Sequence, residues 1–166
     1  MAQATLAPSA AAKRIVAGEQ LSEVLGVTDN QIQAIAAVGY NLYQQGKLND
    51  AETVFRGLIS TNKNSAYGYA GLGAVALAKR PADLAAAQEN ISKAAELAPN
   101  DPTIQSNLGE VLLRQGKFDE AGKQFETALK LDPESKDPGA NRARAILTGL
   151  TAVATEVQRL KRGAAA

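Results

Sequence analysis

Hydrophobic residues along this chain recur every three or four positions, which is the spacing of amphipathic helices. Two segments of 34 residues, 32–65 and 102–135, repeat the same order of small, apolar and polar residues without a gap. Between them, residues 66–101 carry a weaker copy that is two residues longer. Each copy contains two helical stretches separated by a break, so the pattern predicts three consecutive helical hairpins.

Particular residues mark the positions within each hairpin. Gly109 is small where two helices must approach closely, and Phe125 fills the gap between them. Gly116 is expected to end the first helix, because glycine alone takes the left-handed conformation at no steric cost. The corresponding residues of the first hairpin are Gly39, Phe55 and Gly46. In the middle copy residues 79–83 replace this turn, and we expect the two extra residues there or just after it.

The flanking segments predict a tail and two further helices. Residues 1–11 are rich in Ala, Pro, Ser and Thr and are expected to be disordered. Residues 12–26 predict an N-terminal helix that ends at Gly26. Thr28, followed three residues later by Gln31, has the spacing of a capping box that opens the first hairpin.

A C-terminal helix is predicted over residues 138–162, and it carries one continuous apolar stripe. The stripe residues step by four, three, four and three, and they are Ile146, Leu150, Val153, Val157 and Leu160. A helical array leaves its last face exposed, so we interpret the stripe as a cap on the array. It is longer than a cap needs, and the alternative is a docking or coiled-coil surface.

The composition restricts the chemistry of the 166 residues. Hydrophobic residues make up 45% and aromatic residues 4%, which favours helices packed closely through Ala and Gly over a sheet. The sequence has no Cys and no His, which removes thiol nucleophiles, thiolate zinc sites and imidazole catalysis. We find no catalytic, metal-ligating or cofactor-binding pattern and expect a non-enzymatic protein.

Charge and hydropathy select no nucleic acid or membrane as partner. The formal net charge is +1, and no apolar run approaches the roughly 20 residues that span a bilayer. We therefore expect a cytoplasmic protein. The basic end formed by Arg159, Lys161 and Arg162 is interpreted as a solvated helix terminus, with a nucleic-acid or acidic-lipid contact as the minor alternative.

A peptide-binding groove is the candidate functional site. In stacked helical hairpins the first helices line a concave surface, and positions 2, 5, 9, 12 and 13 of each hairpin point into it. The predicted groove residues are Gln33, Ala36, Tyr40, Tyr43, Gln44, Tyr67, Ala70, Ala74, Leu77, Thr103, Ser106, Glu110, Leu113 and Arg114. Tyrosine offers a large apolar ring and a hydroxyl, so we expect a protein or peptide segment with apolar anchors to bind here. Alternatively, the tyrosines only fill space between the helices.

Two resemblances extend this interpretation. Residues Leu108, Gly109, Gly116, Ala121, Phe125 and Pro133 resemble the tetratricopeptide repeat. That family implies an all-α, right-handed superhelix of three repeats (32–65, 66–101 and 102–135) with flanking helices. Residues 39–58, GYNLYQQGKLNDAETVFRGL, and 69–74, YAGLGA, resemble class II chaperones of type III secretion systems, which hold hydrophobic translocators before export.

The chaperone resemblance implies roles for particular residues. Tyr40 and Tyr43 would contact the client, and Tyr67 and Leu77 would continue the surface. The N-terminal helix would form a homodimer through Ile15, Leu21 and Leu25. The chain departs from that family in its few aromatic residues and its unusual 79–83 loop, so a general adaptor or scaffold for assembly of a bacterial protein complex is the alternative.

Overall fold

The computed structural model describes residues 13–14 and 17–163, and over these residues it contains helices and no strand. The helices in this part of the chain are α1 (Leu21–Leu25), α2 (Asp29–Gln44), α3 (Leu48–Thr61), α4 (Ala66–Ala78), α5 (Leu84–Leu97), α6 (Pro102–Arg114), α7 (Phe118–Leu131) and α8 (Pro138–Gly163). The pairs α2–α3, α4–α5 and α6–α7 form three successive hairpins. The predicted all-α fold class is therefore confirmed.

Short polar side chains cap the helices that begin the hairpins. The Thr28 hydroxyl accepts a hydrogen bond from the Gln31 backbone N–H, and the Gln31 side chain accepts one from the Thr28 N–H at 2.9 Å. This is the predicted capping box. Ser65 and Asp101 cap α4 and α6 in the same way, through the N–H three residues on. Each first helix thus begins where a cap residue satisfies its free N–H groups.

The turns inside the hairpins follow the predicted chemistry. Gly46 and Gly116 have φ of 74° and 78°, a conformation that strains residues with a β-carbon. Three residues separate the helices of the first and third hairpins, and five residues, 79–83, separate α4 from α5. The two extra residues of the middle unit therefore lie in this loop.

The core depends on a phenylalanine ring held between glycines. Phe55, on α3, is fully buried. A β-carbon on Gly39 of α2 would lie 2.7 Å from its Cε1 atom, and a β-carbon on Gly71 of α4 would overlap the same ring. In the third hairpin a β-carbon on Gly109 would lie 2.5 Å from Phe125 Cε1. The predicted close approach at these small residues is thus present, and it joins consecutive hairpins as well as the helices within one.

The N-terminal segment differs from the single helix predicted over residues 12–26. Residues 13–14 are helical, residues 17–18 form a turn in which Gly18 has φ of 96°, and α1 begins at Leu21. Gly18, a residue that disfavours helix, therefore interrupts the predicted helix. Gly26 ends α1 with φ of 68°, as predicted. The predicted tail, residues 1–11, and Ile15 lie outside the described residues.

Helix α8 has two halves with different environments. Ala140 and Ala143 are fully buried, and Ile146 and Leu147 pack against the cluster that contains Phe125. Every residue from Thr148 to Arg162 is exposed. The first half thus covers the end of the array, as the cap interpretation predicts, and the second half extends beyond it. No helix within the described ranges is long and apolar enough to cross a membrane.

The close packing at Phe55 gives a matched test of the core. Gly71→Ala should lower the free energy of unfolding by about 1–3 kcal/mol, because the new methyl group overlaps the Phe55 ring. Gly57→Ala, in α3, should raise it by about 0.5–1 kcal/mol, since nothing lies near that position and alanine favours the helix. Urea denaturation followed by circular dichroism measures both. Equal effects of the two substitutions would contradict the interlocked packing.

Candidate peptide-binding groove

The predicted groove residues differ in how far their side chains reach the surface. Four are buried and can form only the floor: Ala36, Ala70, Leu77 and Ser106. Six are half-buried: Tyr40, Tyr43, Ala74, Thr103, Glu110 and Leu113. Four are exposed: Gln33, Gln44, Tyr67 and Arg114. The other ten side chains are therefore at least partly accessible, and the groove assignment itself stays a prediction.

The tyrosines have one side on the core and one side toward the surface. The Tyr40 ring meets Phe55 edge to face, with ring centroids 5.1 Å apart and an interplanar angle of 66°. Tyr43 packs against the same cluster, and Tyr67 is 36% exposed. Tyr69 packs beside Ala70, Ala94 and Ile104, as expected of a packing residue. Tyr40 is thus held in place by the core, whereas Tyr67 is free to meet a partner.

Burial and charged or polar side chains of other helices influence the pKa of the Tyr40 hydroxyl. Burial raises the pKa of this hydroxyl above its ordinary value, and the nearby Asp101 carboxylate and Tyr67 add to the rise. The Arg142 guanidinium opposes it. These groups belong to α2, the cap of α6, α4 and α8.

The other end of the groove is closed by polar contacts with α8. Arg142 Nε lies 2.7 Å from Glu110 Oε1, and the same guanidinium donates to Asn107 Oδ1. The Thr103 hydroxyl donates to the Asp137 carboxylate at 3.0 Å. Two predicted groove residues, Thr103 and Glu110, are therefore already engaged within the chain. Sequence reasoning missed Arg142 and Asp137 as their partners.

A repeated Asp-Pro pair was the signal that could have revealed this arrangement. Asp137 caps α8, with Pro138 first in the helix, as Asp101 and Pro102 do for α6. The caps Asp101 and Asp137 are 36 residues apart, so each residue of α8 corresponds to the residue of α6 that lies 36 positions earlier. Ala143 packs against Phe125 six residues after its cap, just as Gly71 meets Phe55 six residues after Ser65. The first half of α8 therefore acts as a fourth first helix.

By this correspondence, two residues of the apolar stripe take the positions of predicted groove residues. Ile146 corresponds to Glu110, and Leu150 corresponds to Arg114, the last residue of α6. The rest of the stripe, from Val153 onward, lies past the end of α6 and so past the end of the groove. The concave surface thus combines tyrosine rings at one end with an ion pair and apolar residues of α8 at the other. Among the described residues, no cluster of three or more His, Cys, Asp or Glu side chains could hold a metal ion.

Comparisons with known proteins identify the repeat and the fold. Residues 102–135 match the family model of the tetratricopeptide repeat, so the third hairpin is such a repeat. The chain is 32% identical over 107 residues, 64% of its length, to DnaJ homolog subfamily C member 3 of Gallus gallus. It spans only 21% of the length of that relative.

Solved structures of type III secretion chaperones share the fold. The translocator chaperone SycD of Yersinia enterocolitica has a TM-score of 0.63 at 23% identity, over 80% of this chain and 98% of SycD. PcrH from Pseudomonas aeruginosa has a TM-score of 0.60 at 28% identity, over 75% and 95%. PcrH in complex with the chaperone-binding region of PopD has a TM-score of 0.61 at 29% identity, over 76% and 96%. The described part of the chain is all-α and has the fold of these chaperones, and its third hairpin matches the tetratricopeptide repeat.

The buried Tyr40 hydroxyl predicts a contribution to alkaline unfolding. Its pKa is raised in the folded protein, so above pH of about 10 the unfolded chain releases this proton first and stability falls as pH rises. Tyr40→Phe should make that fall shallower, by up to about 1.4 kcal/mol per pH unit, and leave the pH dependence near neutrality unchanged. Urea denaturation at a series of alkaline pH values measures the slope. Identical slopes for the two proteins would refute the assignment.

Proposed function

We propose that this protein is a non-enzymatic cytoplasmic chaperone that holds an apolar segment of a partner in its concave groove, in the manner of the type III secretion translocator chaperones. The observation that supports this most directly is the position of Tyr40, Tyr43 and Tyr67 on the first helices, where they are accessible on one side. The likeness to PcrH, solved with the chaperone-binding regions of PopB and PopD, supports the same function.

The groove suits an extended segment with spaced apolar anchors. The tyrosine rings are fixed from behind by the core, so few side chains need to be ordered on binding. Each well-buried anchor would contribute about 1.5–3 kcal/mol before the ordering of the segment is subtracted. Two or three anchors would then give a complex that forms readily and still releases its client, as export requires.

A general scaffold for assembly of a bacterial protein complex is the second candidate. The exposed second half of α8 favours it, because a scaffold would use the terminal helices more than the groove. The N-terminal homodimer belongs to the proposal too. Leu25 is 63% exposed and available for such a contact, whereas Leu21 is half-buried.

Substitutions in the groove should separate these functions. The partner is first captured from the native cell and then co-expressed with each variant. Tyr67→Asp with Tyr43→Asp should reduce the soluble fraction of the partner to the level seen without the chaperone, because a carboxylate cannot be buried against an apolar anchor. Phe118→Asp changes an exposed aromatic residue of α7, a second helix of a hairpin, and should leave solubility unchanged.

Circular dichroism of each variant shows whether the fold is kept. If folded groove variants keep the partner soluble, the chaperone proposal is wrong. If instead Val157→Asp releases the partner and the groove variants do not, the scaffold function is supported.

A further inference from the structure

We propose that the second half of α8 forms a parallel two-stranded coiled coil with the same helix of a second copy of this chain. The proposal goes beyond client binding and holds whether or not the groove binds a segment. It rests on the apolar stripe, on the charges that flank it and on the position of the body of the protein relative to it.

The stripe is apolar and has no partner within the described part of the chain. Leu150, Val153, Val157 and Leu160 are 41%, 64%, 43% and 57% exposed. Their spacing of three and four residues is the heptad spacing of a coiled coil, with Leu150 and Val157 at a positions and Val153 and Leu160 at d positions. They start at the end of the groove and continue past it, so a segment bound along the first helices would not cover them.

The opposite face of α8 carries threonine hydroxyls in place of large apolar side chains. It carries Thr148, Thr151 and Thr155, whose hydroxyls donate to the backbone carbonyls of Arg144, Leu147 and Thr151 at 2.8–2.9 Å. These donors are satisfied within the helix. The apolar stripe is therefore the face that gains from a partner.

Charges beside the stripe select a second copy in parallel orientation. With Leu150 and Val157 at a positions, Glu156 lies at a g position. Lys161 lies at the e position of the following heptad, five residues later. In a parallel dimer each g residue faces the following e residue of the other helix, so Glu156 and Lys161 would pair twice by symmetry. An antiparallel pair would place Glu156 against glycine and Lys161 against Ala154 or Leu147, with no charge pair. Glu156 already accepts from Arg159 at 2.7 Å, and its carboxylate keeps free lone pairs for a lysine.

The body of the protein leaves room for this pairing. Helix α8 meets the body through Ala140, Ala143 and Leu147, which lie about a quarter turn around the helix from the stripe. A two-fold axis along the stripe would put the two bodies on opposite sides. The exposed part, residues 148–162, is about 22 Å long and gives two heptads on a helix that the body already holds in place.

Cysteine crosslinking tests the arrangement directly, because the natural sequence has no cysteine. Under mild oxidation, Val157→Cys should give a covalent dimer, since paired a positions bring the two residues within disulfide range. Thr155→Cys, a neighbouring β-branched residue on the opposite face, should stay monomeric. A monomeric Val157→Cys protein, or equal crosslinking of both variants, would overturn the parallel coiled coil.

Charge reversal tests the pairing in solution. Sedimentation of the Leu25→Asp chain, in which the N-terminal contact is removed, should still approach twice the 17.3 kDa monomer mass at high concentration. Glu156→Lys and Lys161→Glu should each weaken the dimer, and the double substitution should restore it. A chain that remains monomeric, or a dimer that the double substitution does not restore, would contradict the proposal. So would a dimer that Leu25→Asp dissociates and Val157→Asp does not, because the interface would then lie at the N-terminus.

Discussion

A phenylalanine ring from the second helix of a hairpin, held between small residues of two first helices, sets the geometry of the whole array. Phe55 lies against Gly39 of its own hairpin and Gly71 of the next, and Phe125 lies against Gly109 and Ala143. The glycines admit no β-carbon, so the distance between successive first helices has little freedom. The curvature of the concave surface follows from that distance. A groove fixed in this way requires little ordering when a partner binds.

The same packing limits what the groove can recognise. In α4 nearly every residue is small or buried, and Tyr67 is its one exposed side chain. In the proposed groove, contacts with a client would therefore come mainly from the helices on either side of α4. Tyr40 and Tyr43 of α2 provide aromatic surface at one end, and the Arg142–Glu110 pair provides polar groups at the other. In the proposed groove, apolar surface would therefore lie toward α2 and polar groups toward α8.

Features set by residues that are adjacent in the sequence could be predicted. Features that depend on where α8 packs could not. The cap at Thr28 and the turns at Gly46 and Gly116 are local, and the structure has them where the pattern predicts them. The interruption at Gly18 was missed because the apolar spacing continues across it. The burial of Ser106 and the pairing of Glu110 were missed for another reason. Both depend on how the neighbouring first helices, α8 among them, pack on α6, which the pattern of α6 alone does not contain.

At the end of the array, α8 lacks the glycine that ends an earlier first helix, and this helix is longer as a result. Gly116 forms the turn after α6. The corresponding residue of α8, 36 positions later, is Ala152. Alanine favours the helix and does not adopt the left-handed turn, so α8 continues to 26 residues where α6 has 13. No second helix folds back onto α8 within the described chain. The apolar residues past the turn position are left without the partner that every earlier first helix has, and burying them requires surface from outside the array. Where the repeat pattern ends, α8 therefore exposes an apolar stripe, and this stripe is the surface for which we propose the coiled coil.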